Sequence, residues 1–104
     1  MEQELIKEIV THYGTNDRAR LLMEECGELI QAANKILRYP DKHEARVNLL
    51  EEMVDVSIMI AQIRTLFNYS ELEWNHMNQY KINRIKKRFM KNVGATANDA
   101  ESEG

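Results

Sequence analysis

Apolar residues recur at helical spacing along almost the whole chain, and the recurrence is interrupted at three places: Gly14, the Tyr39-Pro40-Asp41 run, and the residues just before Ser70. Leu5, Ile6, Ile9, Val10 and Tyr13 predict a short amphipathic helix over residues 2–13. Gly14 ends it, and Thr15-Asn16-Asp17 offers an N-cap for a second helix over 17–38. At about 100° per residue, Leu21, Leu22, Cys26, Leu29, Ala33, Ile36 and Leu37 share one broad sector of that helix. Glu25 falls inside the sector and Glu28 at its margin, whereas Glu24, Gln31 and Lys35 lie opposite.

Pro40 disfavours helix at the residue before it, and Asp41 with Glu44 has capping-box spacing. The third predicted helix, 42–67, is apolar on nearly every side, with Glu51, Asp55 and Gln62 forming a narrow polar strip and Glu52 set among apolar neighbours. A helix of that kind has to be covered on most sides, more than a chain of this size supplies. The pattern therefore predicts a homo-oligomer, with this helix at the subunit interface. Ser70-Glu71-Leu72-Glu73 is a capping box, with Tyr69 and Trp74 at hydrophobic-staple positions, and opens a fourth helix over 71–92. Its later half is basic, with Lys81, Arg84, Lys86, Lys87, Arg88 and Lys91. Residues 1–92 thus read as a single all-α domain, and 93–104 as a flexible polar tail too poor in apolar residues to fold.

Composition changes this picture little. One Pro, four Gly and 7% aromatic residues in 104 speak against a sheet protein, and 43% hydrophobic with 30% charged residues is the balance of a soluble globular chain. Seventeen acidic against fourteen basic residues give a net charge of −3, so nothing advertises direct nucleic-acid or membrane binding. No apolar run has membrane-spanning length, and the acidic Met1-Glu2-Gln3-Glu4 start is unlike a targeting peptide. The lone Cys26 forms no intrachain disulfide, which fits a cytoplasmic protein.

The chemistry lies in two acidic pairs, Glu25 with Glu28 and Glu52 with Asp55, each three residues apart and so on one helix face. An antiparallel hairpin folded about Pro40 sets Glu25 opposite Asp55 and Glu28 opposite Glu52, since each pair is centred on residue 40. Four carboxylates in one small volume do not all stay ionised without a cation. An oxygen-only ligand set selects a hard divalent ion, Mg²⁺ or Mn²⁺ in its place, over zinc. One acidic pair alone reads as a solvated face. Two pairs in facing register, both intruding on apolar sectors, outweigh that reading.

Glu24-Glu25-x-x-Glu28 followed by Glu52-x-x-Asp55 on the next helix, with Gly27 and Leu29 in place, resembles the paired motif of the MazG-like all-α nucleoside triphosphate pyrophosphohydrolases. The resemblance covers roughly residues 18–88. It implies a four-helix bundle-like fold completed by dimerisation, as a homodimer or dimer of dimers. It implies Mg²⁺ held by Glu25, Glu28, Glu52 and Asp55, and a small-molecule nucleotide, an NTP or dNTP, cleaved between the α and β phosphates to a monophosphate and pyrophosphate. Glu24 and Glu28 are then the candidates to orient the attacking water. Lys81, Asn83 and Arg84 are the nearest match to the phosphate-approaching residues of such proteins, although their spacing departs from the usual one and a solvated basic face explains them equally well. The rival reading is a non-catalytic helical interaction or regulatory module on the same scaffold.

Other residues have simpler explanations. Cys26 reads as a small apolar residue and Trp74 as part of the staple, and Glu73-x-x-His76 is only half of a di-iron motif.

Overall fold

A computed structural model describes residues 2–94, and these are all-α: α1, Gln3–Arg38; α2, His43–Leu66; and α3, Glu71–Asn92, with no strand among the described residues. The tail expected over 93–104 lies outside them apart from Val93 and Gly94. The chain divides into two units, one ending at Asn68 and the other beginning at Tyr69.

α1 is two helices joined at Gly14, whose φ of 82° and ψ of 173° are not helical. That backbone region is open essentially to glycine alone. The expected break is therefore present, but helix resumes at Thr15, earlier than the expected start at Asp17. The Asp17 carboxylate accepts from the Arg18 side chain instead. A Cβ at Gly14 would meet nothing within 4 Å, so a side chain there is opposed by the backbone alone. Gly14→Ala is expected to destabilise the protein by about 1–3 kcal/mol, read as a lower denaturation midpoint with unchanged m-value.

The residues before Gly14 cross the C-terminal end of α2. Gln3 Nε2 donates to Thr65 Oγ1 at 3.2 Å, and Lys7, Val10 and Thr11 line a hollow with Thr65, Leu66 and Asn68. Ile6 and Val10 are buried there. Thr65 also donates to the Ala61 carbonyl at 3.1 Å, which holds its hydroxyl in place.

After Gly14, α1 packs against α2 as the hairpin expected about Pro40. The capping box expected at Asp41 does not form. Lys42 occupies the N-cap of α2 without a side-chain hydrogen bond, and its ammonium lies 4.2 Å from the Tyr39 ring centroid. Asp41 stands one position too early to cap. At the other end α2 stops at Leu66 with Phe67 as C-cap, one residue short of the expected end. Asn68 then takes the left-handed conformation, φ 55°, that asparagine tolerates at such a terminus.

Few apolar side chains are buried in this unit: Ile6, Val10, Ala32, Ala45 and Met59. Others, such as Leu22, Leu29, Ile36 and Val56, are half-buried, and a further set is exposed. Met23, Ile30 and Leu37 recur every seven residues on α1, with Ile30 69% and Leu37 82% exposed, and Leu50 on α2 is 60% exposed. Helical phase sets this α1 row on the same side of the hairpin as Met53 and Ile60, again seven apart. Ile36, Leu49, Leu50 and Met53 line a hollow beside the turn, continuous with that side.

In the second unit α3 begins as expected. Ser70 Oγ accepts from the Glu73 N–H at 3.0 Å and Glu73 Oε2 accepts from the Ser70 N–H at 3.2 Å, so both halves of the capping box are made. No α3 residue is buried.

Candidate metal centre

The hairpin brings carboxylates from two helices together. One oxygen each from Glu25, Glu52 and Asp55 lie within 4.8 Å of one another. Glu25 and Glu52 are half-buried and Asp55 is exposed. Glu28 stands at the rim of this trio, exposed, and near enough to act on both Glu25 and Glu52. Glu25 is therefore beside Asp55 and Glu28 beside Glu52, as the register about residue 40 requires. Glu24 points to the exposed side of α1, so its position differs from that of Glu25 although the two are adjacent.

The electrostatics follow from this crowding. Glu25 is raised above the ordinary glutamate range by burial first, then by the charges of Glu28 and Asp55, a hydrogen bond with Glu28, and last the charge of Glu24. Glu52 is raised by burial, by its hydrogen bond and charge interaction with Glu28, and by the charges of Asp55 and Glu25. Among the described residues no cationic side chain offsets these shifts. Glu25 Oε2 and Glu52 Oε2 are buried without a hydrogen-bond partner. A buried carboxylate oxygen with no donor is costly, and the fault is removed by a proton or by a cation.

The donor set fits a hard divalent ion. It is all oxygen and carries several negative charges, and it opens to solvent at Asp55 and Glu28, which leaves room for waters or for oxygens of a bound molecule. Among the described residues no nitrogen or sulfur ligand joins the cluster, and Cys26, though adjacent to Glu25 in sequence, is absent from it.

The basic residues belong to the second unit. Lys81 and Arg84 line one recess of α3 with Ile85 and Arg88. Asn83 does not join them: it lines a separate recess with His76, Gln79 and Tyr80, and accepts from Gln79 Nε2 at 3.1 Å. Lys81 and Arg84 both lie 5.9 Å from the Tyr80 ring centroid. The Lys81-Asn83-Arg84 set is thus divided between two sides of one helix.

Sequence reasoning missed Arg18 and set Gln62 on the polar strip of α2 with Glu51 and Asp55, whereas the structure buries it. Arg18 is 8% exposed and Gln62 4%, and Arg18 Nη1 donates to Gln62 Oε1 at 3.0 Å. The signal was available. This pair too is centred on residue 40, and Arg18 and Gln62 each stand seven positions from an acid of the cluster, Glu25 and Asp55.

No family model, no curated protein and no solved structure matches the chain.

Proposed function

We propose that this chain is a Mg²⁺-dependent nucleoside triphosphate pyrophosphohydrolase of the MazG-like kind, cleaving an NTP or dNTP between the α and β phosphates. The observation that carries the reading is the meeting of Glu25, Glu52 and Asp55 within 4.8 Å, with two buried carboxylate oxygens left unpartnered. The motif order Glu24-Glu25-x-x-Glu28 then Glu52-x-x-Asp55 supports the choice of reaction.

Glu25, Glu52 and Asp55 would hold the ion, with Glu28 completing the set. When bound, a Mg²⁺ ion supplies the positive charge that neutralises phosphate oxygens and acidifies a water. Glu28, at the exposed rim, is better placed than Glu24 to orient the water that attacks phosphorus in line and to accept its proton. Lys81, Asn83 and Arg84 are candidate phosphate contacts only through the motif resemblance, and Asn83 is the weaker member because it lines a different recess of α3 from Lys81 and Arg84. The cytoplasm, where free nucleotides and Mg²⁺ meet, is the compartment this function requires.

The same proposal includes a homodimer or dimer of dimers. Five exposed side chains, Met23, Ile30, Leu37, Met53 and Ile60, share one side of the hairpin, and each is worth roughly 1.5–3 kcal/mol when fully buried. Sedimentation is expected to find a dimer or tetramer at micromolar concentration, and a stable monomer would contradict this part of the reading.

A panel of canonical and modified nucleoside triphosphates with Mg²⁺, scored for pyrophosphate, tests the activity. The expected result is equimolar monophosphate and pyrophosphate from at least one of them. Release of inorganic phosphate instead, or no product across the panel, would overturn it.

A further inference from the structure

We propose that the buried Arg18–Gln62 pair is the register lock of the hairpin, a positioning pair that fixes α1 against α2 so that Glu25 meets Asp55 and Glu28 meets Glu52. The acids do not set this register themselves. Like charges on facing helices repel, and any slide that separates them relieves the repulsion. Nor do the apolar contacts set it firmly. The residues buried or half-buried between the helices, among them Leu22, Leu29, Ala32, Ile36, Ala45, Val56 and Met59, are exchangeable aliphatic surfaces. A slide of one turn, about 5.4 Å, replaces one such contact with another of similar kind.

The polar pair is different because it is satisfied in one register only. Arg18 Nη1 donates to Gln62 Oε1 at 3.0 Å, and a one-turn slide would leave a buried guanidinium and a buried amide carbonyl without each other. Leaving buried polar groups unpaired is among the larger single costs in a protein, and register specification is the best-attested use of such pairs. The guanidinium is also aimed. Asp17 Oδ1 accepts from its Nε at 2.9 Å and from its Nη2, and its central carbon lies 4.2 Å from the Tyr13 ring centroid, which leaves Nη1 directed at α2. From there the acids are two helical turns away, about 10 Å along rigid helix, so the alignment set at Arg18 is delivered to Glu25 and Asp55 with little loss.

The test measures register directly. Spin labels on Arg20→Cys and Glu51→Cys, both exposed positions, in a Cys26→Ala background and diluted with unlabelled protein, report the offset of α1 on α2. The parent and Gln62→Glu, which keeps an acceptor for Arg18, are expected to give one narrow distance. Arg18→Met with Gln62→Leu, which replaces the pair by apolar groups of similar size, is expected to keep its melting temperature yet broaden the distribution or add a population displaced by about 5 Å. An unchanged distribution in that double variant overturns the proposal, as does equal broadening in Gln62→Glu. Should the double variant lose helicity, Gln62→Met alone carries the same comparison, because Arg18 keeps Asp17. The consequence for metal binding rests on the function proposed above: the double variant should bind Mn²⁺ about tenfold more weakly. The distance measurement needs no metal, so failure of the parent to bind Mn²⁺ would count against that function and not against the lock.

Discussion

Glu52→Gln is expected to raise the melting temperature of the metal-free protein while cutting pyrophosphate release by about a hundredfold or more. The two effects have one cause. In the metal-free state Glu52 contributes a charge to a half-buried group of carboxylates, and its Oε2 has no donor. Glutamine keeps the shape, removes the charge, and relieves Glu25, Glu28 and Asp55 at the same time. In the proposed function that charge would belong to the ligand set, so its loss would weaken the hold on the phosphates. Glu51→Gln is the control: the residue is exposed on the polar strip of α2 and outside the cluster, and both properties should stay at the parent's level. A Glu52→Gln protein that is less stable without metal, or fully active with it, contradicts the site as described.

The second large effect is a dependence on pH that inverts when a divalent ion is added. Glu25 and Glu52 have folded-state pKa values above the ordinary range. For groups raised on folding, the stability they contribute is complete below the unfolded pKa, about 4.3 for glutamate, and is lost as pH rises through the folded value. Metal-free protein is therefore expected to melt higher at about pH 5.5 than at about pH 7.5, until general acid denaturation takes over. A divalent ion competes with protons for the same oxygens, so with Mg²⁺ or Mn²⁺ at saturation the slope reverses and the pH 7.5 sample gains most. At free ion a hundred times the dissociation constant the gain is about 2.7 kcal/mol, an ample shift for scanning calorimetry. Parallel pH profiles with and without the ion would show that the carboxylates carry no cation.

The hairpin was legible in the sequence because two independent signals agreed. The apolar periodicity set the helices, and the distances of Glu25 and Glu28 from Pro40 matched those of Asp55 and Glu52. The structure brings Glu25, Glu52 and Asp55 of these acids within 4.8 Å of one another. The ends of helices were less legible, and for local reasons. Thr15-Asn16-Asp17 has the residue types of a cap, but the glycine-only conformation at Gly14 makes the whole break in one residue, and helix resumes at Thr15. Asp41 has the right side chain one position too early. Ser70 and Glu73 were read correctly because both partners of a capping box can be seen in the sequence. Arg18 was passed over and Gln62 was placed on the polar strip because arginine and glutamine on amphipathic helices usually face water, and only the shared centre at residue 40 marks these two as facing each other. The expectation that α2 needs cover on most sides persists in the structure as exposed Val47, Leu50, Met53, Val54 and Ile60, which is why a second copy enters the proposed function.

In the proposed function, carboxylates from α1 and α2 act together as one divalent-cation site. Titration of Mn²⁺ into the protein at neutral pH, followed by the loss of the free-ion paramagnetic resonance signal, tests it most directly. Saturable binding is expected, sharply weakened by Glu25→Gln on one helix and by Glu52→Gln on the other, and untouched by Glu51→Gln. Absence of saturable binding, or binding that survives both Glu25→Gln and Glu52→Gln, would contradict it.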